Sequence, residues 1–111
     1  MAQQMLGLDT ADCAAYCAKH IRAKDCENLT ELCAALVQGQ IDYLHACGAL
    51  DETGDTGEGE YDEDDAVEYL LDALLRDFPG SDQQAAVYCA LIDAFLPVFD
   101  DYLLIHGLLS L

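Results

Sequence analysis

The chain is 111 residues long and 53% hydrophobic, with 22 acidic residues against four Lys and Arg and a formal net charge of −18. That length suits one domain with a modest core, and the apolar fraction excludes a disordered acidic tail, which combines high charge with few apolar groups. Four basic residues exclude direct nucleic-acid binding, which needs Lys and Arg to neutralise phosphates, and an anionic membrane surface repels such a chain.

The first periodic segment starts after Asp9 or Thr10 and runs to about Lys24, with Ala14, Cys17, Ala18 and Ile21 on its inner face. Lys19, Arg22 and Lys24 fall in its last half, where cations suit the C-terminal end of the helix dipole. A second helix is expected from Asn28, with Glu31 three residues on as a capping box. Leu29, Leu32, Cys33, Leu36, Val37, Ile41, Leu44 and Cys47 follow at helical spacing, and Gly48 ends the segment. Gly39, in its interior, predicts a bend or break near residues 38–40.

Residues 51–61, DETGDTGEGEY, hold three glycines and five acids with no aliphatic residue, which predicts a loop. A third helix starts near Asp62–Asp65, whose carboxylates suit an N-terminal turn, and Pro79-Gly80 stops it. Its apolar stripe is Val67, Leu70, Leu71, Leu74, Leu75 and Phe78. Ser81 with Gln84 opens a fourth helix with Val87, Tyr88, Leu91, Ile92, Phe95 and Leu96 facing inward, and Pro97 kinks or divides it. The final stretch, DYLLIHGLLSL, is apolar enough to need covering, by the core or by a second subunit. No internal repeat and no convincing strand emerges. The expected fold is all-α, a small helical bundle of four to five helices with an acidic Gly-rich loop, as a single domain over residues 1–111.

Between Lys24 and Arg76 there is no basic residue, yet fifteen acids lie there, ten of them within residues 51–68. Such a field repels itself, and its most direct use is to attract a basic surface. The candidate target-binding residues are Asp51, Glu52, Asp55, Glu58, Glu60, Asp62, Glu63, Asp64, Asp65, Glu68 and Asp72, helped by Asp25, Glu27, Glu31, Asp42, Asp82 and Asp93. Glu60, Asp64, Glu68 and Asp72 are four apart and line one side of the third helix if it extends back to residue 60. Asp82, Asp93 and Asp100 share a face of the fourth if it passes Pro97 undeflected.

Other chemistry is thinly supplied. The run Asp51, Thr53, Asp55, Gly57 loosely follows a calcium loop, but Thr56 stands where Gly is required and Asp62 where Glu is required. Cys13, Cys17 and His20 fall on one helical face and His45 lies near Cys47, yet no second short-spaced cysteine pair completes a zinc set. We therefore expect no metal and no cofactor. With no phosphate loop, nucleophile elbow or H-E-x-x-H, we expect no catalytic residues and no enzyme. Lacking a signal-peptide pattern or a long uncharged apolar run, the chain is expected in the cytoplasm, with its six cysteines reduced and serving as small apolar fillers.

The stretch Asp12 to Leu50 carries Ile21-Arg22 at the end of its first helix, Asp25, then Leu29-Thr30-Glu31-Leu32, and Tyr43-Leu44 before the Gly- and acid-rich loop. In this pattern it resembles the Ocr family of phage anti-restriction proteins, over about a third of the chain. That family is dimeric and all-helical and imitates bent duplex DNA with surface carboxylates. The resemblance implies a DNA-mimic inhibitor that blocks the nucleic-acid-binding site of a host restriction enzyme; small anti-CRISPR proteins use acidic surfaces too, which leaves the target open between the two. The expected partner is a basic DNA- or RNA-binding host protein. A homodimer is expected through some of Leu103, Leu104, Ile105, Leu108 and Leu109. The alternative is an acidic helical adaptor whose apolar C-terminal end binds a partner without mimicry.

Overall fold

A computed structural model of the chain describes residues 8–21, 29–51 and 57–107. Four helices make up the fold: α1 (Thr10–His20), α2 (Leu29–Ala46), α3 (Glu63–Asp77) and α4 (Asp82–Ile105), with no strand among the described residues. It is an all-helical bundle. The two longest helices, α2 and α4, touch each other and both of the others, whereas α1 and α3 lie apart on either side. Phe95, Phe99, Leu32, Leu36, Ile41, Leu44, Leu70 and Leu74 are fully buried between them. Each such side chain contributes about 1.5–3 kcal/mol on leaving water, which the surface repulsion must overcome to unfold the chain.

The helix ends follow their sequence signals. The Asp9 carboxylate accepts from the Asp12 N–H at 3.1 Å, and the Ser81 hydroxyl accepts from the Gln84 N–H at 3.3 Å. α1 stops at His20, several residues short of the expected Lys24, because Ile21 turns to extended backbone with its N–H on the Cys17 carbonyl. The expected cap Asn28 lies outside the described residues. Gly48 ends α2 with φ of 84°, a left-handed conformation that glycine adopts at little cost.

Three expectations are corrected. α2 runs unbroken through Gly39, which is buried against α3: a Cβ there would lie 2.9 Å from Leu70 Cδ2. The missing side chain serves close helix approach. α4 likewise continues through Pro97. The proline is on the solvent side, so the Asp93 carbonyl that loses its helical donor faces water. Val87, expected inside, is 48% exposed; the neighbouring Tyr88 takes the inner position and donates its hydroxyl to the Phe78 carbonyl at 2.8 Å.

The C-terminal stretch divides. Tyr102 and Leu103 are buried in the core, while Leu104 and Ile105 are 64% and 66% exposed. Leu103 is thus unavailable to the expected subunit interface, and Leu108 and Leu109 lie outside the described residues. The Tyr102 hydroxyl donates to Asp12 Oδ2 at 2.8 Å, tying α4 to the start of α1. Burial, and then that bond, push the phenol well above its ordinary value.

Candidate functional site

The N-terminal turn of α3 gathers the densest charge. Asp62 caps the helix, its Oδ1 accepting from the N–H groups of Asp64 at 3.0 Å and Asp65 at 3.4 Å. Glu63, Asp64 and Asp65 fill the first turn, where exposed backbone N–H groups and the helix dipole offset part of their mutual repulsion. From there Asp64, Glu68 and Asp72, all exposed, form a row four residues apart. Successive carboxylates in that row rise by about 6 Å along the axis.

Arg76 comes next at the same spacing, but its Nε lies 3.6 Å from Asp77 Oδ1. Both partners of that ion pair are exposed, so it is worth little. Among the described residues no salt bridge reaches Asp64, Glu68 or Asp72.

Glu60 does not join it. α3 begins at Glu63, and the preceding backbone is bound to the end of α2 instead. The Gly57 N–H donates to the Ala49 carbonyl at 2.8 Å and the Gly59 N–H donates to the Gly48 carbonyl at 2.8 Å. The two backbones approach so closely that a Cβ on Gly59 would overlap the Cys47 carbonyl oxygen, and one on Gly57 the Gly48 carbonyl oxygen. Gly57 and Gly59, within the stretch that the sequence predicts as a loop, thus clamp it to the end of α2. The clamp holds Glu58 and Glu60, both exposed, at fixed places beside α3. Asp51 is exposed at the other side of this stem, while Glu52 and Asp55 lie outside the described residues.

Two tyrosines fasten the acidic turn to α2. The Tyr43 hydroxyl donates to the Asp62 carbonyl at 3.1 Å, and Gln40 Nε2 donates to the Tyr61 hydroxyl at 3.0 Å. The Tyr43 ring packs on Tyr61 at 5.8 Å and Tyr69 at 5.6 Å between centroids. Gln40 is buried, and its Oε1 has no hydrogen-bond partner. A buried carbonyl left so costs about 1–3 kcal/mol. Gln40 and Tyr61 do not stand out in the sequence, and Tyr43 does so only as part of the resemblance; the signal, in retrospect, is a glutamine on the apolar stripe of α2.

α4 adds carboxylates that the α3 reading omitted. α4 continues through Pro97, and Asp82, Asp93 and Asp100 are all exposed on it. Burial, then the neighbouring Glu63 and Asp101 carboxylates, push the Asp100 carboxyl above its ordinary value. Burial raises the Tyr61 phenol as well, the Gln40 bond opposes it, and Asp100 and Glu63 add to the rise. Asp100, Glu63 and Tyr61 therefore feel one another, and the acidic surface continues from α3 onto α4. Glu31 and Asp42 are on α2, the latter half-buried and accepting from Gln38 Nε2 at 3.0 Å. Asp25 and Glu27 lie outside the described residues.

The other candidate ligands separate. Cys13 and Cys17 are buried, with the Cys17 thiol pushed far up by its hydrogen bond with Cys13 and by burial, whereas His20 is exposed and stacks on Tyr16 at 4.2 Å. No group of three or more His, Cys, Asp or Glu among the described residues could hold a metal ion. No described helix is long and apolar enough to cross a membrane. Compared with known proteins, the chain matches no family model, no curated protein and no solved structure.

Proposed function

We propose that this protein is a decoy for nucleic acid, which occupies the basic nucleic-acid-binding surface of another protein and blocks it. The observation that carries the reading is the exposed carboxylate row Asp64, Glu68 and Asp72, which forms no salt bridge among the described residues, is continuous with the Asp62–Asp65 turn and is clamped to a helical core. Duplex DNA presents one charge per about 1.7 Å of axis, both strands counted. One row is sparser than that, and the flanking Glu58, Glu60, Asp65, Asp100 and Asp101 bring the surface closer to it. A held surface has the further advantage that docking loses less conformational entropy than a flexible polyacid would. The pattern resemblance to the Ocr family supports the same reading, with a restriction or CRISPR effector in the cytoplasm of a host cell as the target proposed.

The test is displacement. The immobilised chain captures partners from a bacterial lysate, salt releases them, and each is purified with fluorescently labelled duplex or guide RNA bound. Adding the chain should release the label stoichiometrically, less so as salt rises. Partners that keep their nucleic acid when saturated with the chain would defeat the reading.

A further inference from the structure

Three of the four large apolar side chains exposed among the described residues, Val87, Leu104 and Ile105, stand on one helix, α4. Between them the outer line of α4 is Ala86, Ala90, Ala94 and Pro97, all exposed. Asp93 and Asp100 follow one edge of that line, and α4 carries no Lys or Arg at all. The helix spans about 36 Å. Its face therefore has a small-residue track from Ala86 to Pro97 along which another backbone can approach closely, Val87 at one end, Leu104 and Ile105 beyond Asp101 at the other, and the carboxylates of Asp93 and Asp100 along one margin.

We propose that this outer face of α4 is a docking surface for a basic amphipathic helix of the partner protein. Charge complementarity selects that occupant. A helix whose apolar face lies on the Ala86–Pro97 track would place Lys or Arg beside Asp93, Asp100 and Asp101, where no cation of the chain competes among the described residues. A second copy of the chain fits less well, since it brings another −18 against the same carboxylates. The proposal rests on the decoy reading only for the sign of the partner's charge. It adds that the partner is gripped by an apolar contact beside the acidic one, so that binding has a part that salt does not screen.

The test uses the isotope-labelled full chain and two synthetic peptides of about 18 residues, long enough for about 27 Å of helix. One has Leu on a single face and Lys and Arg elsewhere; the other has the same composition scrambled so that no apolar face forms. At physiological salt the amphipathic peptide should bind about tenfold more tightly, with amide shifts centred on residues 86–104. Ala90→Glu should cut that preference about fivefold. The substitution adds a carboxylate, so charge alone would tighten binding, and Glu suits a helix, so the fold is kept. Leu104→Gln, at the other end of the track, should reduce the preference as well. Neutralising Asp64, Glu68 and Asp72 should weaken both peptides and leave their ratio unchanged.

Equal binding of the two peptides, shifts confined to α3, or tighter binding by the Ala90→Glu chain would overturn the proposal. So would light scattering that finds a dimer abolished by Ala90→Glu, which makes a second copy the occupant. Displacement of nucleic acid by the Ala90→Glu chain separates the two readings. If the parent chain displaces nucleic acid yet shows no preference between the peptides, the decoy stands and the α4 surface falls.

Discussion

The backbone N–H of Gly59 donates to the carbonyl of Gly48 across 2.8 Å, joining the residue before Glu60 to the residue that ends α2. The backbone that leads into α3 is thus joined to the end of α2. Gly59→Ala should break this junction, because a Cβ there meets backbone carbonyl groups that have nowhere to move. We expect a loss of about 2–3 kcal/mol in urea unfolding. Gly39→Ala is the comparison. Its Cβ would meet the end of the Leu70 side chain, which can shift, and Ala gains about 1 kcal/mol of helix propensity, so the net change should stay within about 1 kcal/mol. Equal losses for the two variants would mean that the clamp is not rigid.

The buried Gln40 amide makes a second, opposite test. Tyr61→Phe removes the partner of Nε2 and leaves the whole amide unsatisfied, at about 1–3 kcal/mol. Gln40→Met instead removes the unpartnered Oε1, keeps the volume, and leaves the half-buried Tyr61 hydroxyl within reach of water. Its cost should stay within about 1 kcal/mol. Thermal melts of the two variants should therefore rank Tyr61→Phe below Gln40→Met, and the reverse order would show that Gln40 has bonding the structure lacks.

The helices were legible in the sequence because their signals are local. The Ser81 cap, the Pro79-Gly80 stop and the three- and four-residue apolar steps act within a turn of where they are written. What could not be read depends on neighbours brought together by folding. Gly39 looks like a helix breaker until Leu70 packs on it, and Gly57 and Gly59 look flexible until Gly48 lies against them. Pro97 looks like a break because nothing local says that the carbonyl it orphans faces water. The acidic surface was half legible: the Asp62–Asp72 run is contiguous in sequence, but Asp100 joins Glu63 only across the α3–α4 contact.

Replacing Asp64, Glu68 and Asp72 by Asn, Gln and Asn should separate fold from function. The three side chains are exposed and form no salt bridge among the described residues, so the change relieves repulsion without opening the core. The unfolding midpoint should hold or rise at low salt, while displacement of nucleic acid from a captured partner should weaken by about tenfold or more, on the order of 0.5 kcal/mol for each lost contact with a basic surface. Raising salt should weaken the parent chain toward the variant. A variant that displaces nucleic acid as well as the parent does would move the binding surface away from α3.

Asp100 supplies the pH dependence. In the unfolded chain its carboxyl ionises near 3.9; in the fold, burial, Glu63 and Asp101 hold the proton on to higher pH. The folded state therefore binds the proton more tightly, and the stability linked to this group is full below the ordinary carboxylate value and lost as pH rises through the raised one. Asp100→Asn is uncharged throughout and escapes that loss. It should raise Tm at about pH 7 and change it little at about pH 3, where Asp100 is protonated in both states. Glu63→Gln removes one of the charges acting on Asp100, so the double variant should gain less than the two single gains combined. Thermal unfolding of the four chains at the two pH values reads this directly. An Asp100→Asn gain of equal size at both would mean that packing, not charge, sets it, and the α3–α4 carboxylates would then be independent of one another.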